Sequence, residues 1–379
     1  MNSRERVTTT LNHREPDRVP IDLNGTMCTA LTKTVYNNLR NYLGLKKDEN
    51  PNISNLFMGS VRAREDVLEI YDIDTRTIYM NDLLESKEIT REDNSFEDDF
   101  GIIWKQASFY YDAISRPLKL GTVEELKKAK WENYNIKDRV IGLKEKASIL
   151  YETTDFCLVA DMHTFGPFEG GCMLRGYDNF LIDLASNEKY AMTLLDKLTE
   201  TVMTKWGILL DEIGDYVQVV AQGDDLGMQT STYISPEMYR KFIKPFHKKL
   251  FDLIHSKTQA KVFLHSCGSV YDLIPDFIET GVDILNPIQR SAAKMDILKL
   301  KKEFGKELSF WGGGIDVQKQ LPFYSLKLIE EEIKRTMEIM APGGGFVFFP
   351  SHNIQADVSP EKINCLFKCA FRYGSYEKF

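Results

Sequence analysis

Short apolar segments alternate with amphipathic stretches along most of the chain, and polar residues follow directly where the apolar segments end. The segment 261–264 is followed by His265 and Cys267, and the segment 282–285 is followed by Asn286. Apolar segments of four to eight residues, bounded by turn residues and separated by helical patterns, predict buried strands of a parallel sheet. The polar residues then lie at the carboxyl ends of those strands.

The same arrangement recurs before and after these two segments. The apolar segment 217–221 leads to Asp224 and Asp225, and the segment 346–349 leads to His352. In a barrel of parallel strands the residues that carry chemistry lie at the carboxyl ends of the strands, where the connecting loops meet. The pattern therefore predicts an enzyme with one site built from several strand ends.

Counting the strands gives the predicted architecture. Strands are predicted near residues 20, 74, 158, 218, 262, 283, 309 and 347, with helices between them. Eight parallel strands alternating with helices predict an α/β protein with a single (β/α)8 TIM barrel that spans residues 1–379 as one domain. A polar insertion at about 80–150 follows the second strand, and a hairpin at 101–108 and 112–118 is predicted within it.

Composition narrows the functional classes. Hydrophobic residues make up 43% of the chain and charged residues 27%, which is ordinary for a soluble globular protein. The net charge of −8 argues against nucleic acid and anionic membranes as partners. The polar N-terminus lacks the apolar stretch of a secretion signal, so we expect a cytoplasmic protein. The six cysteines are scattered, and no disulfide framework is expected.

His265 and Cys267 are the first candidates for metal ligands. Residues two apart on a strand point to the same face, and imidazole with thiolate is a donor pair suited to zinc. A buried thiol beside a hydrogen-bonded histidine is the alternative. His352 follows the eighth predicted strand, and we interpret it as a third ligand or as a metal-free acid/base group.

The candidate catalytic residues are Asp224, Asp225, Asn286 and Asp74. Asp224 or Asp225 could orient a histidine ligand, bind the metal or hold the substrate, and a helix cap is the structural alternative. Asp74 and Arg76 share one face of the second strand, where they could face the substrate or form an internal ion pair.

Several motifs occur in an order that resembles the uroporphyrinogen decarboxylase superfamily. They are Arg14-Glu15-Pro16-Asp17-Arg18-Val19-Pro20, Gly166-Pro167-Phe168, Gly223-Asp224-Asp225-Leu226-Gly227, Ile234-Ser235-Pro236-Glu237, His265-Ser266-Cys267-Gly268, Asn286-Pro287, Gly312-Gly313-Gly314-Ile315-Asp316 and Pro350-Ser351-His352-Asn353. The resemblance covers nearly the whole chain. It implies a (β/α)8 barrel enzyme of one of the two chemistries known in that superfamily.

One departure distinguishes the two chemistries. True decarboxylases carry an arginine-rich stretch after the first strand that grips the carboxylates of a porphyrinogen, and here that stretch reads Asn24-Gly25-Thr26-Met27-Cys28. Desolvating many carboxylates requires cationic partners, so this replacement argues against a porphyrinogen substrate. The resemblance is closer to the corrinoid-dependent methyltransferases, whose zinc is held by a His-x-Cys pair and a later third ligand. It implies His265, Cys267 and, in place of the usual cysteine, His352.

We therefore expect a zinc-dependent methyltransferase. It would move a methyl group between a small methylated substrate, with a methoxylated aromatic as the best guess for O-demethylation, and the Co(I) corrinoid (cobalamin) of a partner protein. The alternative is a metal-free carboxy-lyase that uses Asp74 or Asp224 to hold pyrrole N–H groups, with His352 nearby. A third interpretation is a non-catalytic barrel that docks a corrinoid protein. A homodimer is compatible with the sequence, which does not fix the oligomeric state.

Overall fold

The computed structural model describes residues 1–55, 58–81, 93, 95–98, 100–107, 111–129, 131, 136–162 and 164–378. Its strands are β1 (Leu31–Thr32), β2 (Ile53–Asn55), β3 (Ser60–Val61), β4 (Thr75–Tyr79), β5 (Phe96–Glu97), β6 (Ile103–Gln106), β7 (Tyr111–Ser115), β8 (Cys157–Asp161), β9 (Val219–Gly223), β10 (Lys261–His265), β11 (Ile284–Asn286), β12 (Ser309–Trp311) and β13 (Phe346–Val347).

The helices are α1 (Ser3–Leu11), α2 (Lys33–Tyr42), α3 (Glu65–Ile70), α4 (Val123–Lys128), α5 (Leu143–Thr153), α6 (Pro167–Arg175), α7 (Tyr177–Ser186), α8 (Glu188–Ile213), α9 (Pro236–Met238), α10 (Lys244–Lys257), α11 (Ile274–Thr280), α12 (Ile297–Phe304), α13 (Gln320–Phe323), α14 (Leu326–Met340) and α15 (Pro360–Tyr373). Short 3-10 segments occupy Lys137–Val140, Tyr271–Leu273 and Tyr376–Lys378, and a π-helical turn occupies Tyr239–Ile243. Within the described residues, no helix is long and apolar enough to cross a membrane.

A sheet of seven parallel strands forms the centre of the described structure, in the order β13-β12-β11-β10-β9-β8-β4. From β8 to β13 the neighbouring strands are consecutive along the chain and helices connect them, whereas β5, β6 and β7 of the insertion lie between β4 and β8. The register places His265 of β10 beside Gly223 of β9 on one side and Asn286 of β11 on the other. Three strand ends are thereby aligned at the same edge of the sheet.

The segment around Ile21 closes the sheet into a barrel. Ile21 forms a parallel bridge with Phe348, and the Ile21 carbonyl accepts a hydrogen bond of 2.9 Å from the Asp74 amide. The predicted (β/α)8 barrel is confirmed, although its first strand is only this bridge. Asn24 has a positive φ of 64°, which turns the chain out of the extended conformation a few residues later.

The barrel interior is apolar and is closed at one end by α1. Val159, Phe263 and Trp311 belong to an interior cluster that also includes Val7 and Leu11 of α1. The amide of Arg4 in α1 donates to the carbonyl of Asp155, which precedes β8, so α1 lies at the amino ends of the strands. The opposite end, where the strands finish, remains available for a site.

The insertion after β4 contains the predicted hairpin. Strands β6 and β7 pair antiparallel, and β5 adds to β6 to make a three-stranded sheet. Parts of the insertion, including residues 82–92 and 108–110, lie outside the described residues. The hairpin prediction is confirmed for 103–106 and 111–115.

Candidate metal centre

A cavity of about 1230 Å³ opens at the carboxyl ends of the barrel strands. Its wall includes side chains from the predicted site, namely Asp225, His265, Cys267 and His352. Aromatic and methionine side chains also line it, and these are Met27, Met58, Met80, Phe96, Phe100, Trp104, Tyr111, Met162, Phe165, Met173 and Phe263. A large, mostly apolar cavity with a few convergent polar groups is the usual form of a ligand site.

Asn286 fixes the orientation and tautomer of His265. The Asn286 side-chain amide donates to the Trp311 carbonyl at 2.7 Å, so its oxygen faces the imidazole of His265. That oxygen lies 2.5 Å from His265 Nδ1 and can only accept, so Nδ1 carries the proton. In the neutral ring Nε2 therefore offers its lone pair, as a ligand histidine requires. The catalytic role of Asn286 stays a prediction, and this geometry indicates that Asn286 would act by orienting His265.

Asp225 lies beside Cys267. Its carboxylate accepts the Cys267 amide at 2.8 Å, while its other oxygen accepts from the Cys267 thiol at 3.3 Å. The same carboxylate is 3.8 Å from His265 Nε2. Burial and the charge of Asp225 raise the pKa of the Cys267 thiol well above its usual range. A cation bound here would favour the thiolate and so lower the pKa of Cys267 again.

His352 approaches His265 from the end of the eighth strand. The two ring centroids are 5.5 Å apart and the rings are inclined by 70°. Burial, together with the nearby ring of His265, lowers the pKa of His352 to about 4. His352 is consequently neutral at pH 7, the state in which an imidazole binds a metal.

The three predicted ligands do not form one compact set among the described residues. His265 is instead shared by two groups whose donor atoms lie within 4.8 Å of one another: one contains Asp225 and Cys267, and the other contains Cys28 and His352. The structure thus brings His265, Cys267 and His352 to one cavity and adds two donors. Imidazole, thiolate and carboxylate are the donors that zinc takes in proteins, so these residues fit that ion.

Comparisons with known proteins show the family to which this barrel belongs. Residues 118–373, which are more than half of the chain, match the family model described as uroporphyrinogen decarboxylase (URO-D). The chain belongs to the uroporphyrinogen decarboxylase family. A search of curated proteins gives no match.

A solved structure shares the fold of this family member over its whole length. It is described as a methyltransferase from Methanosarcina mazei, with a TM-score of 0.65, 16% identity, and coverage of 98% of this chain and 99% of that chain. A β-glycosidase from Thermosphaera aggregans aligns at a TM-score of 0.38 and 10% identity over 83% of this chain and 85% of its own. The first likeness shows the fold, and the second is too weak to carry any inference.

Asp224 is close to the cavity of this family member, but its carboxylate forms hydrogen bonds with residues outside the metal-binding groups. Its carboxylate accepts the amides of Phe168 and Glu169 at the start of α6, at 3.1 and 2.6 Å, and it lies 2.7 Å from His247 Nε2. The side chain is fully buried and is not among the cavity residues. These contacts match the alternative of a helix cap, because Asp224 caps α6 and holds His247, and its catalytic role stays a prediction.

Asp74 lies at the other end of the barrel and is not among the cavity residues, which argues against the catalytic role predicted for it. It immediately precedes β4 and is completely buried. Arg6 and Arg18 donate to its carboxylate at 2.6 and 2.7 Å, and the Ile21 amide donates at 2.8 Å. The alternative of an internal ion pair is the one observed, although the partners are Arg6 and Arg18 rather than Arg76.

Cys28 and Glu169 are among the cavity residues that were not identified from the sequence. Cys28 lies within the stretch interpreted only as a lost arginine motif, and Glu169 lies in the first turn of α6. Burial and the charges of Asp225 and Asp224 raise the pKa of Glu169 well above its usual range. The Gly-Pro motif before Glu169 predicts a helix start, but only the tertiary structure turns that helix end toward the cavity.

Proposed function

We propose that this family member is a zinc-dependent methyltransferase that moves a methyl group between a small methylated substrate and the Co(I) corrinoid of a partner protein. The shared fold with a methyltransferase from Methanosarcina mazei supports an enzyme of this type. The observation that carries the proposal is the hydrogen bond between Asn286 and His265 Nδ1, which leaves the Nε2 lone pair available beside Cys267 and Asp225. The corrinoid partner rests on the resemblance of the motifs.

The residues of the chain would prepare a zinc site and a dry pocket around it. A bound zinc would supply Lewis acidity to the heteroatom that carries the methyl group. His265 would hold the zinc through Nε2, and Cys267 would hold it as a thiolate, its proton passing to solvent. Asp225 holds the Cys267 amide, which fixes the direction of the thiol, and it is also near enough to be a ligand. His352, neutral at pH 7, offers a third donor.

The apolar wall of the cavity supports a methoxylated aromatic as the methyl donor. Phe165 and Phe100 pack with their ring centroids 5.8 Å apart, and Phe96 and Tyr111 pack at 5.3 Å, so two pairs of rings lie along the wall. Aromatic faces and polarizable methionines bind a flat ring through stacking and sulfur contacts. A pocket of this composition would desolvate an aryl ether and expose its oxygen to the metal.

The carboxy-lyase alternative loses support at two positions. Asp74 and Asp224, the carboxylates assigned to hold pyrrole N–H groups, both lie outside the cavity wall. Among the described residues that line the cavity, the cationic side chains of arginine and lysine are two, Arg139 and Lys205. A substrate rich in carboxylates needs more cationic partners than these to be desolvated.

Metal analysis followed by a methyl-transfer assay tests the proposal. Protein purified without added metal is expected to hold about one zinc per chain. With a reduced corrinoid protein and a panel of methoxylated aromatics, methyl-cobalt formation is followed by absorbance. Cys267→Ala should lose both the zinc and the transfer, because it removes the thiolate donor.

The matched control is Cys365→Ala, which removes a thiol on α15 that is not among the described residues lining the cavity. It should retain wild-type zinc content and activity. The proposal is wrong if wild-type protein takes up no zinc on titration, or if Cys267→Ala transfers methyl groups as fast as wild type from every donor.

A further inference from the structure

A second thiol, Cys28, lies in the wall of the same cavity. It follows the first barrel segment and is 3% exposed. A donor atom of Cys28 lies within 4.8 Å of donor atoms of both His265 and His352. Cys28 and Cys267 are 239 residues apart in the sequence, yet both lie in the wall of this cavity.

The loop that carries Cys28 is held in place on both sides of this residue. The Met27 amide donates to Asp161 at 2.7 Å, and the Met27 carbonyl accepts from the side chain of Asn353 at 3.0 Å. The oxygen of the same Asn353 side chain accepts the Ala30 amide at 2.7 Å. Because Asn353 directly follows His352, one side chain fixes the positions of both Cys28 and His352.

The donor atoms on this side of the cavity are not occupied by other contacts. Within the described ranges of the chain, neither the His352 ring nor the Cys28 sulfur makes a hydrogen bond, and the His352 ring lies edge-on to that of His265. Cys28 is buried and His352 is half-buried, and their donor atoms converge as the ligands of a metal ion do. His265 supplies the third donor.

We propose that Cys28 is a ligand of the metal bound at His265, so that two thiolates, Cys267 and Cys28, contact the same ion. The two thiols belong to separate donor groups that share His265, so a bound ion would draw them together. The identity of the metal as zinc rests on the proposed function. On binding, each thiol loses one proton to solvent. Two thiolates offset the two positive charges of a divalent cation, and the carboxylate of Asp225, 3.3 Å from the Cys267 sulfur, adds further negative charge beside them.

The number of sulfur ligands in the wild-type protein tests this directly. X-ray absorption at the zinc edge should show two sulfur scatterers at about 2.3 Å, together with nitrogen scatterers. A single sulfur would overturn the proposal for Cys28. Absence of bound zinc under all conditions would instead overturn the proposed function, so the two failures are distinguishable.

Cobalt substitution adds a test by mutation that does not depend on activity. In the Co(II) protein the thiolate-to-cobalt absorption should fall to about half in Cys28→Ser and equally in Cys267→Ser, because each variant keeps one of two thiolates. Chelator competition should show zinc affinity reduced by about 100-fold or more, beyond the loss typical of residues that only support a ligand.

Cys172→Ser is the matched control, because Cys172 is fully buried but outside both donor groups. It should leave the cobalt spectrum and zinc affinity unchanged. A Cys28→Ser protein that folds and retains the full wild-type absorption contradicts the proposal. If that variant does not fold, the sulfur count in wild-type protein decides.

Discussion

The amide of Asn286 has one orientation that satisfies both of its neighbours. Trp311 presents a carbonyl, which can only accept, and the remaining amide oxygen must then meet a protonated His265 Nδ1. The proton on one side of the ring determines the lone pair on the other. At the scale of single residues, the metal-binding capacity of His265 thus depends on a partner that the metal would not touch.

Replacing that partner should weaken metal binding without removing a ligand. In Asn286→Ala the His265 ring loses its fixed tautomer, and we expect zinc affinity to fall about 10–100-fold, measured by chelator competition. Asn37→Ala is the control, because Asn37 also makes two side-chain hydrogen bonds, both with the backbone of Asp48, but lies outside the cavity. Equal affinity in wild type and Asn286→Ala would contradict this role.

His352 gives the metal-free protein a pH dependence of known sign. Its pKa is about 4 in the folded protein against an ordinary value of 6.5. Between these values the unfolded chain binds a proton that the folded chain does not, so stability falls as pH decreases from about 6.5 toward 4. Denaturant unfolding of chelator-treated protein should show this slope, and His352→Gln should reduce it. An identical slope in both proteins would exclude His352 as its source.

At the scale of secondary-structure elements, the donor residues are brought together because they lie at the ends of neighbouring strands, not because they share a face of one strand. Strands β9, β10 and β11 run in register, so the residues that follow them converge from three neighbouring strands. The insertion adds a different kind of element, an antiparallel hairpin whose β7 alternates between half-buried and exposed residues. Half-buried Tyr111 lines the cavity, while Ile114 on the same strand is 56% exposed.

Because of this alternation, two substitutions on the same strand test whether the hairpin contacts the substrate. Tyr111→Ala should raise KM for an aromatic methyl donor about tenfold, because an aromatic pair contributes ~0.5–1.5 kcal/mol beyond its buried area. Zinc content should not change, since no proposed ligand is touched. Ile114→Ala, on the opposite face of the strand, should behave as wild type. Equal KM values for both variants would show that the hairpin does not contact the substrate.

At the scale of the whole molecule the two ends of the barrel have separate roles. The amino end is closed by α1 and by the network around Asp74, which ties α1, the first barrel segment and β4 together. The carboxyl end holds the cavity and its donors. Charged residues occur at both ends of the described barrel, and at the carboxyl end they line the cavity.

Asp74→Asn should therefore change stability and leave the metal site intact. Removing one charge from a buried, hydrogen-bonded cluster costs about 3–5 kcal/mol, because Arg6 and Arg18 lose a common partner. Denaturant unfolding measures this change. Asp72→Asn is matched to it, because Asp72 also pairs with Arg18 but is 62% exposed, and it should cost less than about 1 kcal/mol. Loss of zinc from folded Asp74→Asn would contradict the separation of the two ends.

The end of the barrel at which Asp74 lies was not evident from the sequence pattern. Alternation along a strand shows which face a residue occupies, but chemistry in a parallel barrel depends on which end it occupies. Asp74 precedes β4, whereas His265 is the last residue of β10, and Asp225 and His352 follow β9 and β13. Asp224 also follows its strand, yet its side chain turns to the amides of α6, and periodicity contains no information about that choice.

The sequence by itself determined the eight-stranded barrel, the hairpin in the insertion and the convergence of His265, Cys267 and His352 on one cavity. It could do so because hydrophobic periodicity and strand polarity are local properties of the chain. Only the tertiary structure decided the tautomer of His265, the capping role of Asp224 and the approach of Cys28 to His352. Each of these depends on hydrogen bonds between residues far apart in sequence, which form only once the barrel is closed.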